Sequence, residues 1–149
     1  MAGDLAPLPA VTLRQAEALV GLEHVPGQFD CMHLAVLAQR VLFNRVVPWA
    51  QQQHPRGGRH QAVLIARHCA GLARPLAADD TPGTGDAVLW TNDNENGSAR
   101  CFHIGTLFVQ GGERWVLHSS QALGSSVLQR LAECPAQGLR FEGFYRWLA

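Results

Sequence analysis

Apolar positions along the chain change their period once, and the change divides the sequence into two kinds of element. In the first half the period is helical. Thr12 followed by Gln15 makes a capping box that opens a short helix to about Val20, ended near Gly21. "HVPGQF" is a Pro/Gly loop. From Asp30 onward Leu34, Ala35, Ala38, Val41 and Leu42 recur at helical spacing and predict a helix to Asn44 or Arg45. Gln51 to Arg59 is polar surface broken at Pro55, and "HQAVLIARHCAGL" has the length and alanine content of a third, largely buried helix.

After "ADDTPGTG" the runs shorten and turn signals bound them. "DAVLW" (Asp86 to Trp90) predicts a buried strand, "TNDNENGSAR" a polar loop and "FHIGTLFVQ" a second strand. Gly111 and Gly112 make a hairpin turn into a third strand, "ERWVLHSS". "SSVLQRLAEC" is expected to form a helical turn, and "LRFEGFYRWL" closes the chain as an aromatic strand. Helices first and an antiparallel meander afterwards predict an α+β fold, with the N-terminal helices packed on one side of the sheet.

Composition narrows the class. A chain of 149 residues suits a single domain, and 47% apolar with 16% charged residues describes a globular protein. No apolar run is long enough for a membrane span. "MAGDLAPLPAVTLRQ" lacks the pattern of a secretory signal, so the expectation is a protein made in the cytoplasm without a signal peptide. Twelve basic and twelve acidic residues cancel, lysine is absent, and no arginine stripe argues for nucleic acid. The four cysteines, Cys31, Cys69, Cys101 and Cys134, form no CxxC pair, which disfavours a zinc ribbon or redox pair.

Candidate chemistry starts at Cys31. With Asp30 as N-cap, Cys31 is the first helical residue, beside unsatisfied amide hydrogens and the positive end of the helix dipole. That setting favours the thiolate, the reactive form. Against this stands the general habit of cysteine as a buried, inert thiol. Two histidines alter the balance. His103 and His118 lie on the strands joined by the Gly111–Gly112 turn, where facing positions have numbers totalling about 223; theirs total 221. A one- or two-residue offset, absorbed by a bulge or by a different turn position, would set the two rings side by side. One imidazole could then serve as base while the other holds its tautomer and orientation.

"FDC" opening a helix, then "GDAVLW", then "HIGTLFVQGGERWVLHSS" resembles the NlpC family of papain-like cysteine peptidases. The closing "LRFEGFYRW" is similar to the branch of that family found in phage and prophage tail modules. The resemblance runs from about Leu19 to Trp147 and rests on the order and spacing of the motifs together. It implies Cys31 as nucleophile, His103 as general base and acid, and His118 as the orienting third residue. It also implies a cysteine helix packed on a twisted antiparallel sheet, no cofactor, and cell-wall stem peptides as substrate, with other phage-tail proteins as partners and delivery in a phage-tail-like particle. Two departures stand out. Met32 and His33 occupy positions where the family has a small or aromatic residue and then glycine, and His24 stands nearest to where many members carry a tyrosine that helps bind the oxyanion. His24 and His33 are therefore the candidates for oxyanion or substrate contact, with a helix-surface position the plainer expectation for His33.

Other patterns carry less. His60 and His68 fall about 12 Å apart along a helix, too far to share a metal ion. "NDNENG" lacks the rest of a calcium loop, and no Lys-Ser/Thr follows the glycines of "GTGD". Trp90, Trp115, Phe141, Phe144, Tyr145 and Trp147 suit sheet packing before any glycan groove. Three functions compete on the sequence: a peptidoglycan-cleaving cysteine peptidase, a catalytically weak or inactive tail-tip module of the same fold, and a thiol amidase or deamidase toxin.

Overall fold

The chain enters its fold through a cap. The computed structural model describes residues 11–26, 28–49, 65, 71–93 and 100–148. Thr12 and Gln15 close the expected capping box on helix α1 (Leu13–Ala16). The helix does not run on to Val20; a 3-10 turn, Glu17–Leu19, follows it. The cause is a tertiary competitor. Ser126 Oγ donates to the Leu19 carbonyl at 2.6 Å and accepts from Leu22 N at 2.9 Å, so the groups that would extend the helix bind another element. Gly21 then turns the chain at a φ of +86°.

Helix α2 (Cys31–Phe43) begins at Asp30 and ends at Asn44, whose left-handed φ of 50° lets Arg45 N donate to the Gln39 carbonyl at 2.9 Å. Its inner face contributes Met32, Leu34, Ala35 and Ala38 to the core, while Val41 is exposed. The third helix expected over residues 60–72 lies almost wholly outside the described residues, as do the polar stretch 51–59 and the loop 94–99. Ile65 from that segment is described and is fully buried.

The described strands are β1 (Ala73–Pro75), β2 (Ala87–Asp93), β3 (Arg100–Gln110), β4 (Glu113–Ser120), β5 (Ser125–Arg130) and β6 (Leu139–Trp147). They form one antiparallel sheet in the order β1-β6-β2-β3-β4-β5, so the mixed helix and antiparallel-sheet class is as the pattern predicts. Two strands were not anticipated. β1 is a three-residue edge piece whose length gives no periodicity to read. β5 occupies the segment expected to be helical: Ser126, Val127, Leu128 and Gln129 alternate between faces, pairing with β4, and helical structure, a 3-10 turn over Leu131–Gln137, starts only afterwards.

Both faces of the sheet are covered. Ala87, Leu89, Ile104, Phe108 and Leu117 lie in core clusters with α2, whereas Val88, Trp90, Leu107 and Val116 pack with Cys134 of the 3-10 turn. Double burial explains why β2 and β3 read as nearly continuous apolar runs instead of clean alternation. The entry to β2 is fixed by Gly85 and Asp86. A Cβ at Gly85 would meet the Phe43 ring at 3.0 Å. Asp86 takes the Arg146 guanidinium at 3.0 Å on both oxygens and accepts from Gly83 N at 2.8 Å, tying β6 to the start of β2. This pair raises the Arg146 pKa further above its ordinary value. Among the described residues no helix is long and apolar enough to cross a membrane.

Candidate active site

Cys31 is the first residue of α2, as the sequence predicts, and is 2% exposed. Asp30 accepts from Met32 N at 3.3 Å, so its carboxylate serves the helix start. The same carboxylate places negative charge near the cysteine, opposing the helix dipole that favours a thiolate. His33 answers part of that charge. Its Nδ1 lies 2.8 Å from Asp30 Oδ1, and the ring reaches back over a helix start for which the sequence names Asp30 alone, as N-cap. The expectation of a helix-surface His33 is corrected here: the residue is 9% exposed, with its ring edge-on to Trp49 at 4.6 Å. An imidazole at the third helical position can reach back to the cap, and the aromatic wall of Trp49 covers it. Among the described residues, His33 Nε2 and Trp49 Nε1 are buried and find no hydrogen-bond partner.

His24 stands in the loop before α2. Its ring Nδ1 lies 2.7 Å from Ser119 Oγ, and its backbone N donates to the Gly124 carbonyl at 2.9 Å. Ser119 is fully buried on β4, immediately after His118. The loop is thus pinned to the end of the hairpin that carries the second histidine.

His103 and His118 do meet. His103 Nε2 and His118 Nδ1 are 2.9 Å apart, with ring centroids at 5.0 Å and an 82° interplanar angle. The contact is a diagonal one across β3 and β4. From Gln110↔Glu113 to Thr106↔Leu117 the pairing of β3 and β4 is regular. Continued one step, that register sets His118 opposite Gly105, so His103 and His118 are diagonal neighbours on one face, within reach of long side chains. Gly105 makes the approach possible, because a Cβ there would stand 3.1 Å from His118 Cβ and 2.5 Å from Val116 Cγ1. Trp90 of β2 backs both rings at 5.5 and 5.6 Å.

Gln129 completes a line of three polar groups. His118 Nε2 is 2.7 Å from Gln129 Oε1. Sequence reasoning missed this residue because it lay in a segment read as helical. Read as a strand, the segment carries the signal: His118 pairs with Val127 on β5, so Gln129 is again a diagonal neighbour. Burial pushes the His118 pKa below its ordinary value, outweighing the Gln129 hydrogen bond, which acts upward.

The geometry therefore joins His103, His118 and Gln129 directly, holds His24 one residue away at Ser119, and pairs His33 with Asp30. Cys31 shares its core cluster with Ile104, the residue after His103, whose side chain alternates with that of His103 along β3. Among the described residues no group of three or more His, Cys, Asp or Glu side chains is arranged to hold a metal ion. His54, His60, His68 and Cys69 lie outside the described residues. Cys134 is a buried thiol whose pKa is pushed up to about 11 by burial and by the Glu133 charge, the profile of an inert cysteine. No protein-family model, curated protein or solved structure matches the chain.

Proposed function

We propose that this chain is a cysteine hydrolase of the NlpC, papain-like type that cuts peptide bonds in the stem peptides of bacterial peptidoglycan, delivered by a phage-tail-like particle. The observation that carries the reading is the buried His103–His118 hydrogen bond of 2.9 Å, on strands that follow a cysteine placed at a capped helix start. A thiol beside a helix N-terminus and an imidazole oriented by a second polar ring are the parts that acyl transfer needs. The substrate class comes from the order of "FDC", "GDAVLW" and "HIG" in the chain.

In this mechanism His103 takes the Cys31 proton and the thiolate attacks the peptide carbonyl carbon, forming a C–S bond. The Cys31 backbone N–H, with His24 as the candidate side-chain donor, stabilises the oxyanion. The C–N bond then breaks as His103 returns its proton to the leaving amine. Water, deprotonated by His103, attacks the thioester. The C–S bond breaks, releasing the acid, and His103 returns its proton to the thiolate. His118 keeps the His103 ring aligned throughout. The scheme requires Cys31 Sγ, which packs with Ile104, to reach the His103 ring, which lies against Trp90 and His118.

One observation favours a second reading. Cys31 is 2% exposed and packs with Ile104, not on the face that carries Gly105 and Leu107, which suits a tail-tip structural module that keeps the fold without catalysis. Incubation of the purified protein with peptidoglycan, followed by mass spectrometry of released muropeptides, separates the two. The hydrolase reading expects cleaved stem peptides that disappear in a folded Cys31→Ala variant. Cleavage that survives this substitution ends the assignment of Cys31, and no cleavage by the unmodified chain favours the structural module.

A further inference from the structure

We infer that Gln129 is a positioning residue that fixes where both site imidazoles carry their protons, and so makes Nδ1 the basic nitrogen of His103. The inference rests on the proposed role of His103 for its catalytic meaning, while its geometry stands independently.

The derivation follows the hydrogen bonds from β5 inward. Gln129 Oε1 can only accept, so the 2.7 Å contact requires a proton on His118 Nε2. A neutral His118 protonated there presents a lone pair at Nδ1. The contact of 2.9 Å from His118 Nδ1 to His103 Nε2 then requires the proton on His103 Nε2. A neutral His103 protonated at Nε2 is basic at Nδ1. One amide oxygen thus selects the tautomer of two rings in series. Two diagonal cross-strand contacts make the chain possible, and Trp90 backs both rings.

The relay works only while His118 is neutral. Protonated on both nitrogens, His118 would donate from Nδ1 to His103 Nε2, drive the His103 proton onto Nδ1 and abolish the base. The surroundings disfavour that state. β3 presents His103 and β2 the uncharged Trp90. The 3-10 turn on this face brings the buried thiol of Cys134, with Glu133 exposed beside it. Arg130, next to Gln129, is directed onto the Trp115 ring and toward Glu113 at 3.6 Å.

The test uses full-length protein labelled with ¹⁵N-histidine, in which the nitrogen shifts report the tautomer of each ring across pH. The expected result for the unmodified chain is Nε2–H on both His103 and His118 at neutral pH. Gln129→Met, close in volume at a half-buried site, should lower the Nε2–H to Nδ1–H ratio of His118 by about tenfold, the effect of removing one buried hydrogen bond. Gln129→Glu keeps the acceptor but adds charge. It should raise the His118 titration point, invert the His103 tautomer below that point and restore the native pattern above it. A merely structural Gln129 would not produce this pH-dependent rescue. Nδ1–H on His118 in the unmodified chain, or tautomers unchanged in Gln129→Met, overturns the inference. Native tautomers in a chain that cleaves no peptidoglycan would instead count against the hydrolase reading and leave the positioning role standing.

Discussion

Replacing Gly105 by alanine tests the strand pairing and the site with a single methyl group. The added Cβ would lie 2.5 Å from Val116 Cγ1, 3.0 Å from Trp90 Cζ3 and 3.1 Å from His118 Cβ. The first distance is far inside contact, so something must move. Val116 is fully buried and β-branched, with little rotamer freedom, and Trp90 is buried against both histidine rings. Overpacking of this kind costs about 1–3 kcal/mol. The backbone entropy gained on replacing glycine in a strand offsets roughly 0.5–1 kcal/mol of that. A net loss of up to about 2.5 kcal/mol is expected, or a fall in Tm of up to roughly 8 °C for a domain of this size. The same displacement should lengthen the His103–His118 contact and change the ¹⁵N shifts of both rings. Gly143→Ala is the control, since its Cβ would meet Tyr145 at an ordinary 3.7 Å, and it should change stability by less than about 0.5 kcal/mol. Calorimetry and urea unfolding supply the measurements. A Gly105→Ala protein as stable as the parent, with unchanged histidine shifts, would refute the register that brings the two histidines together.

Three further outcomes are expected. Because burial lowers the His118 pKa in the folded state, its contribution to stability is present above the unfolded value near 6.5 and is lost as pH falls through the folded value; urea midpoints should decline below pH 6.5, and a His118→Gln variant should show a flatter profile. Asp86→Ala removes a buried carboxylate from Gly83 N and Arg146, and should cost about 1.5–3 kcal/mol in urea unfolding; a loss under 0.5 kcal/mol would deny the pair a stabilising role. Cys134, with its pKa near 11, should resist alkylation at neutral pH until denaturant is added, as peptide mapping would show.

What was legible in the sequence was local. Thr12 with Gln15, Asp30 before Cys31, and the Gly111–Gly112 turn each signal themselves through residues a few positions apart, and each appears where expected. The misses are tertiary. The helix after Thr12 shortens because Ser126, more than a hundred residues away in sequence, takes its terminal groups. The β5 segment lost its strand signal because Leu128 and Leu131 sit at helical spacing across its end, while pairing to β4 is what decides its state. That error hid Gln129, since a diagonal contact can be read only after the strand is recognised. His33 was expected on the surface because nothing local announces that Trp49 covers it. For the histidine pair, the offset in register was seen from the turn, and the structure turns it into a diagonal contact between the two strands.

The central claim is that Cys31 reacts as a thiolate sustained by His103. The direct measurement is the rate of Cys31 alkylation by iodoacetamide from pH 5 to 9, followed by peptide mapping in the parent and in His103→Ala. The account predicts that Cys31 reacts at pH 6 faster than an ordinary thiol, whose pKa is about 8.5, and that His103→Ala removes the excess. A Cys31 that reacts no faster than an ordinary thiol, or a profile unchanged by His103→Ala, would contradict it.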